Sequence, residues 1–529
     1  MTTDTPIPEG WAAVEAAAAA ERGITLNARF EADAARASRM RIAAAGVVLH
    51  YGRARIGEAG LAALEGFAER AELSARMAAL FAGERVNATE GRAAWHTALR
   101  RAEPPVEAAS AAEAARRFAE EVRADGTEAV LWLGIGGSDL GPRLVVDALE
   151  MAADGPEIRF VSNVDGAALD RALSGLDPAK TRLTVASKSF STQETMINAR
   201  AARAWLADAL GPDEASRRTA AVTANPERAE AFGVDPAAVF PLFDWVGGRF
   251  SVWSTVGLPI RLALGNPAFD AFLAGARAMD DHVAEAPFRT NMAMILAALD
   301  LWSVNALGLG TLAVVPYAGR LRLFVPYLQQ LIMESNGKGV AIDGAPLALR
   351  PAPVIWGAPG TDAQHSFFQW LHQAPTGAAV EFLLPVRPAD ERPENQRTLA
   401  AHCLAQGSAL ALGRDLSETR AAMAAEGADT EAIDALAAHR VFPGDRPSVT
   451  LLFDDVTPRS LGALIALYEH RVAAQAALLG INAFDQWGVE FGKTLANRIL
   501  PALASEASEL SAADPATAAL LADIRDLRR

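Results

Sequence analysis

Short apolar runs alternating with helix-length segments constrain this chain more than any other feature. From about residue 104, apolar runs occupy residues 129–133, 158–162, 183–186, 220–223 and 239–242, with helical segments between them at 142–151 and 192–209. After a helical stretch over 254–306 the alternation resumes, with runs at 312–316, 354–356, 380–384 and 450–453 and helices at 321–334 and 459–479. Strands that are continuously apolar and separated by helices predict parallel sheets covered on both faces. The chain therefore reads as α/β, with two doubly wound parallel-sheet domains. The first hundred residues are Ala-rich and helical in period, without a clear strand signal. The expected organisation is a helical N-terminal extension over 1–103, α/β domains over 104–285 and 286–505, and a C-terminal helix over 506–529. No fixed-period repeat interrupts this pattern.

Composition narrows the function classes. The 529 residues carry 49 Lys and Arg against 64 Asp and Glu, a net charge of −15, which argues against a nucleic-acid partner. The first eleven residues hold Asp4 and Glu9 and no basic residue, unlike a secretory signal. The uncharged stretch from Leu301 to Gly319 is interrupted by Ser303, Asn305, Gly308, Gly310 and Pro316, so it reads as a buried helix, a turn and a buried strand rather than a membrane span. A single cysteine, Cys403, excludes an intramolecular disulfide. The expectation is a cytoplasmic protein.

Two strand ends carry the clearest chemistry. The run 129–133 enters Gly134-Ile135-Gly136-Gly137-Ser138-Asp139 and then a helix. Such a loop is either a tight turn or a place where backbone N–H groups meet an anion. Asp139 stands where a dinucleotide fingerprint has its third glycine, and no Walker lysine is present. The run 183–186 enters Ser187-Lys188-Ser189-Phe190-Ser191-Thr192, with four hydroxyls in six residues before a long helix. Ser191 with Glu194 matches a capping box, but a cap needs one hydroxyl; four, with Lys188, suit a phosphate monoester. Side by side at the carboxyl ends of parallel strands, the two loops predict a small phosphorylated ligand.

Four further positions leave two readings each. Arg249, after Gly247-Gly248 in an apolar stretch, is a buried ion pair with Asp244 or another carboxylate, or a cation aimed at developing negative charge. Glu334 closes a helical segment, where the dipole disfavours its charge, and is a general base or a solvated acid. His365 is a core histidine or a proton shuttle, and its seven-residue spacing from His372 does not suit zinc. Gln486, Glu490 and Lys493 share one helical face, a surface Glu490–Lys493 pair being the simpler reading.

Taken together, these residues resemble the phosphoglucose (glucose-6-phosphate) isomerase family. The resemblance rests on Val246-Gly247-Gly248-Arg249-Phe250-Ser251, on residues 480–493 with Phe484-Asp485-Gln486-Trp487-Gly488-Val489-Glu490, and on Gly136-Gly137-Ser138. Further matches are Ser187 to Thr195, Met333-Glu334-Ser335-Asn336-Gly337-Lys338, Gln364-His365, and Asn87-Ala88-Thr89-Glu90-Gly91-Arg92 with His96. It implies two sugar-isomerase domains with helical extensions, assembled as a homodimer, interconverting glucose 6-phosphate and fructose 6-phosphate in glycolysis and gluconeogenesis through a cis-enediolate. It implies no metal and no cofactor. By resemblance, Ser187, Lys188 (through its amide), Ser189 and Thr192 hold the phosphate, and Gly137 and Ser138 border the sugar. Glu334 is the base between C2 and C1, and Arg249 stabilises the enediolate. His365, from the second subunit, and Lys493 assist ring opening, and Gln330 and Gln486 line the site.

Three segments depart from the family pattern: Ala358 in place of Glu, Asp362-Ala363 before Gln364-His365, and Tyr51-Gly52-Arg53 near the N-terminus. The alternatives are a sugar-phosphate-binding regulator, disfavoured by the acidic charge and the lack of a basic arm, and an isomerase that also takes mannose 6-phosphate.

Overall fold

The computed structural model describes residues 7–389, 392–504 and 514–528. It divides into two compact units, one ending at Ala483 and one beginning at Phe484.

The first unit contains two sheets. One has the order β4-β3-β5-β6-β7, built from β3 (Ala129–Leu133), β4 (Glu157–Val161), β5 (Thr181–Ala186), β6 (Thr219–Thr223) and β7 (Val239–Pro241), every pair parallel. β3 and β6 are buried at every residue, which is why they stand out in the sequence as unbroken apolar runs. The second sheet has the order β1-β2-β11-β10-β8-β9. Its β8 (Thr311–Pro316), β9 (Val354–Trp356), β10 (Ala379–Pro385) and β11 (Ser448–Phe453) are parallel, as the alternation predicts.

The N-terminal segment differs from the helical layer expected for it. β1 (Arg41–Ala44) and β2 (Val47–His50) form a hairpin whose second strand pairs antiparallel with β11, Val47 opposite Phe453 and His50 opposite Thr450. The hairpin supplies the edge of the second sheet, so that sheet is mixed.

The helix Pro458–Leu479 runs through the core and is buried along nearly its whole length. It lies against the helix Asn266–Glu285 so closely that a Cβ on Gly462 would stand 2.0 Å from the Phe272 carbonyl oxygen. Only glycine fits there. In its middle, Glu469, His470 and Arg471 are buried. Arg100 pairs bidentately with Asp280 at 2.7 Å and with Glu469 at 2.6 Å, while Arg471 reaches Asp300 at 2.6 Å and Glu381 at 2.8 Å. Buried charges survive only when paired in this way. Among the described residues, no helix is long and apolar enough to cross a membrane.

The second unit comprises the helix Glu490–Ala504 and the helix Pro515–Leu527, the latter capped by Asp514, whose carboxylate accepts the Thr517 N–H at 3.0 Å. Arg525 donates to the Ala502 carbonyl at 2.9 Å and joins the two helices.

Candidate active site

In the first sheet the chain starts at β3, steps outward to β4, then crosses back to β5 and on to β6 and β7. The order reverses between β3 and β5, and ligands of open α/β sheets bind at such a reversal, beyond the carboxyl ends of the strands. The loops leaving β3 and β5 are the glycine loop and the hydroxyl loop.

The glycine loop is pressed against the arginine loop. Gly136 has φ +61°, and a Cβ there would stand 2.9 Å from Gln330 Nε2. At Gly137 a Cβ would lie 2.1 Å from the Gly248 carbonyl oxygen and 2.9 Å from the Arg249 nitrogen. No other residue type permits this approach.

In the hydroxyl loop the capping-box reading gives way. The helix Gln193–Leu210 begins after Thr192, whose side chain makes no cap hydrogen bond. Instead Thr192 Oγ1 lies 3.1 Å from Ser187 Oγ, and Ser191 donates to Ser189 at 2.9 Å. The four hydroxyls form two contacting pairs just before a helix N-terminus, a setting that favours an anion. Lys188 reaches away from them, its Nζ donating at 3.1 Å to the carbonyls of Asp244 and Val246. It thereby ties the hydroxyl loop to the arginine loop. Burial, with Arg92 nearby, holds the Lys188 ammonium below the usual lysine range.

Arg249 is buried, and its carboxylate partner is Glu334, at 2.9 Å from Nη1 to Oε2. Asp244, the nearer candidate in sequence, lies instead 3.7 Å from Arg92 and 3.8 Å from Lys188. Arg249 Nη2 also donates to the Ala483 carbonyl at 2.9 Å. The neighbouring Asn482 donates to Asn87 at 2.9 Å and Thr89 at 2.6 Å, which gives the Asn87–Arg92 motif its place behind the arginine.

Glu334 is the last residue of a widened, π-type turn, Gln329–Glu334, that follows the helix Phe324–Leu328. Such turns are rare and cluster at functional sites. Lys338 donates to the carbonyls of Glu334 and Ser335 at 2.9 and 2.8 Å, and Asn336 donates to Gln475 of the central helix at 2.7 Å. Glu334 therefore stands on a fixed support with its carboxylate a quarter exposed.

Gly137, Ser138, Gln330, Arg249 and Glu334 thus gather around the arginine loop, with Ser187, Lys188, Ser189 and Thr192 at the neighbouring strand end. His365 closes a short 3-10 turn, Asp362–His365, and is exposed. Gln364 beside it donates to the Tyr317 hydroxyl at 2.7 Å. Gln486 and Lys493 belong to the second unit, where Lys493 pairs with Glu490 at 3.0 Å. Among the described residues, no group of three His, Cys, Asp or Glu side chains is placed to hold a metal ion.

Behind the arginine loop lies a set of residues to which the motifs gave little attention. His96 stacks on Phe250 with ring centroids 4.6 Å apart, Trp253 donates to Glu469 at 2.8 Å, and the Arg100 guanidinium covers the Trp253 ring at 4.5 Å. Burial pushes the Glu469 carboxyl up to about 7 and holds His96 well below the usual histidine range. Burial likewise raises Asp139, next to the glycine loop, to about 6. The sequence signal for this set is the charged triplet Glu469-His470-Arg471 inside an apolar helix.

Comparison with known proteins identifies the family. The chain is 44% identical over 524 residues to the glucose-6-phosphate isomerase of Chelativorans sp. (strain BNC1), covering 95% of this chain and 96% of that protein. It is 42% identical over 516 residues to the enzyme of the same name from Rhizobium meliloti (strain 1021), covering 94% and 95%. The crystal structure of a glucose-6-phosphate isomerase from Chlamydia trachomatis superposes with a TM-score of 0.84 at 32% identity, over 98% of this chain and 99% of that one. Residues 50–521, a span that holds both sheets' parallel strands and every loop described above, match the phosphoglucose isomerase family, and the chain belongs to that family.

Proposed function

We infer that the chain interconverts glucose 6-phosphate and fructose 6-phosphate by moving a proton between C2 and C1 through a cis-enediolate, in glycolysis and gluconeogenesis. The observation that carries this reading is the pair Arg249–Glu334, 2.9 Å apart beside the glycine loop. A carboxylate that takes a proton from carbon needs a nearby positive charge for the oxyanion it creates, and this pair supplies both.

Each remaining residue has a place in the sequence of events. The phosphate rests on Ser187, Ser189, Thr192 and the Lys188 amide, and Gly137 and Ser138 border the sugar. His365 from a second copy of the chain, with Lys493, opens the ring by moving a proton between O5 and O1. Glu334 then removes the proton on C2, the electron pair moves into the C1–C2 bond, and the charge that develops on the substrate oxygens is met by Arg249. The hydroxyl proton then passes from O2 to O1, and Glu334 returns its proton to C1 as the C2 carbonyl forms, leaving open-chain fructose 6-phosphate. Gln330 and Gln486 line the site. The working assembly is a homodimer in the cytoplasm, supported by the resemblance and by the exposure of His365 on its own chain.

Glu334→Gln tests the centre of this scheme. It keeps the size of the side chain and removes the proton acceptor, so general-base catalysis worth about 10² to 10⁴ is lost. That corresponds to roughly 2.7 to 5.4 kcal/mol of barrier. In a coupled assay kcat falls by that factor, and exchange of the C2 proton of glucose 6-phosphate with deuterated water disappears alongside turnover. Wild-type exchange in the mutant would remove Glu334 from the role.

A further inference from the structure

A cavity of about 330 Å³ lies in the second-sheet half of the first unit, formed by residues of β2 and β11, the helix Pro393–Leu412 and the N-terminal helices Leu26–Ala32 and Arg36–Arg39. None of the residues assigned to the isomerisation lines it. That volume lies at the lower end of the range of small-molecule sites.

Its polar side is unusual for a structural cavity. Arg53, just beyond β2, is half-buried and has no carboxylate partner among the described residues; its one side-chain hydrogen bond is to Ser408 Oγ at 3.0 Å. Three of the buried arginines of this unit are differently placed. Arg36 donates to three backbone carbonyls, and Arg100 and Arg471 each hold two carboxylates. Ser448, 2% exposed, closes the cavity beside Arg53. His50 and Thr450, opposite each other across β2 and β11, complete the polar lining. A half-buried guanidinium held only by a serine hydroxyl keeps donors available for an anion in the cavity. The rest of the lining is apolar, with Phe30, Leu404 and Leu412 among it, and both leucines are half exposed.

We propose that this cavity binds a small amphiphilic anion, its acidic oxygens against Arg53 and the Ser408 hydroxyl and its apolar body against Phe30, Leu404 and Leu412. A carboxylate and a phosphate monoester share the required head-group chemistry. The guanidinium fork matches either.

The test is calorimetric titration of the full chain with benzoate in one arm and phenyl phosphate in the other, in the presence of an equilibrated, saturating mixture of glucose 6-phosphate and fructose 6-phosphate to occupy the isomerase site. The expected result is saturable binding of one ligand per chain below about 10 mM in at least one arm. The responding arm identifies the head group. Arg53→Gln weakens that binding at least tenfold, and Ser408→Leu, which fills the cavity from the helix side, does the same. Isomerase turnover in both variants stays at the wild-type value and reports that they are folded; should one variant fail to fold, the other carries the comparison. Absence of saturation in both arms, displacement of the probe by the sugar phosphates, or binding in a folded variant equal to wild type would each overturn the proposal.

Discussion

Gly137→Ala is expected to disable turnover while leaving the protein folded, because the added methyl group lands on the backbone that carries Arg249. The new Cβ would stand 2.1 Å from the Gly248 carbonyl oxygen, 2.2 Å from its carbon and 2.9 Å from the Arg249 nitrogen. Non-bonded heavy atoms rest at about 3.5 Å or more, so the two loops must separate by roughly 1.4 Å. Backbone on both sides, rather than a side-chain tip, makes the contact. Overpacking of this kind costs about 1 to 3 kcal/mol of stability, which a domain with this much buried surface tolerates. The larger effect is on geometry. Arg249 is held by the Ala483 carbonyl and Glu334, each at 2.9 Å, and a displacement above 1 Å breaks one of the two. Misplacement on that scale costs about 10²-fold in rate. The coupled fructose 6-phosphate assay should show kcat down by about that factor, with a smaller change in KM because the hydroxyl loop is not in the clash. Gly166→Ala, whose Cβ would meet nothing within 4 Å, serves as the control. A Gly137→Ala enzyme with kcat within threefold of wild type would refute the reasoning.

The remaining expectations can be checked with the same preparations. Changing Ser189 and Thr192 together to Ala removes two bonds to a dianion at roughly 1.5 to 3 kcal/mol each, so KM rises far more than kcat falls; an unchanged KM counts against the phosphate assignment. Mixing inactive His365→Ala and Glu334→Gln proteins under subunit exchange should restore part of the activity, since one hybrid site regains both groups; no recovery despite demonstrated exchange removes His365 from the partner's site. Asp139, raised by burial from 3.8 to about 6, favours the folded state when protonated. Its contribution is complete below pH 3.8 and lost as pH rises through about 6, a change of about 3 kcal/mol at 1.36 kcal/mol per pKa unit. Denaturant unfolding of Asp139→Asn at pH 4 and pH 7 should show a correspondingly flatter profile than wild type, and parallel profiles would contradict it.

The parallel strands were legible because burial on both faces leaves an unbroken apolar run, as in Ala129–Leu133, which needs no partner to be recognised. The hairpin Arg41–His50 was not. Its strands are four residues long, lie between helices, and gain their place by pairing with β11, some four hundred residues further along the chain. Local pattern carries no trace of such pairing. The same limit applies to Arg249. The sequence requires a partner for a cation in an apolar stretch, but only the fold selects Glu334 over Asp244, because the choice depends on bringing the turn after β7 against the turn after the helix Phe324–Leu328. In the hydroxyl loop, the residue types suggest an anion site, and the helix starts one residue later than the capping pattern implies. The cap and the phosphate readings compete for the same hydroxyls, and side-chain direction decides between them.

The charges buried in the central helix bear on how this site keeps its geometry. Apolar residues of similar volume in place of Arg100, Asp280 and Glu469 would be neutral or even stabilising, so stability alone does not account for them. What an apolar core lacks is direction. Glu469 accepts from the Trp253 indole at 2.8 Å and from Arg100 at 2.6 Å, and the Arg100 guanidinium lies over the Trp253 ring. Trp253 is four residues beyond Arg249, and Phe250 between them is stacked on His96. Hydrogen bonds with fixed angles thus hold the back of the arginine loop, the Gly137–Gly248 contact holds its front, and the Ala483 carbonyl and Glu334 hold the guanidinium. Truncating Glu469 would leave Arg100 Nη1 and the Trp253 indole N–H without an acceptor in a dry core, a loss of about 3 to 5 kcal/mol. The network is therefore tolerable only intact, and when intact it permits a single position for the arginine loop.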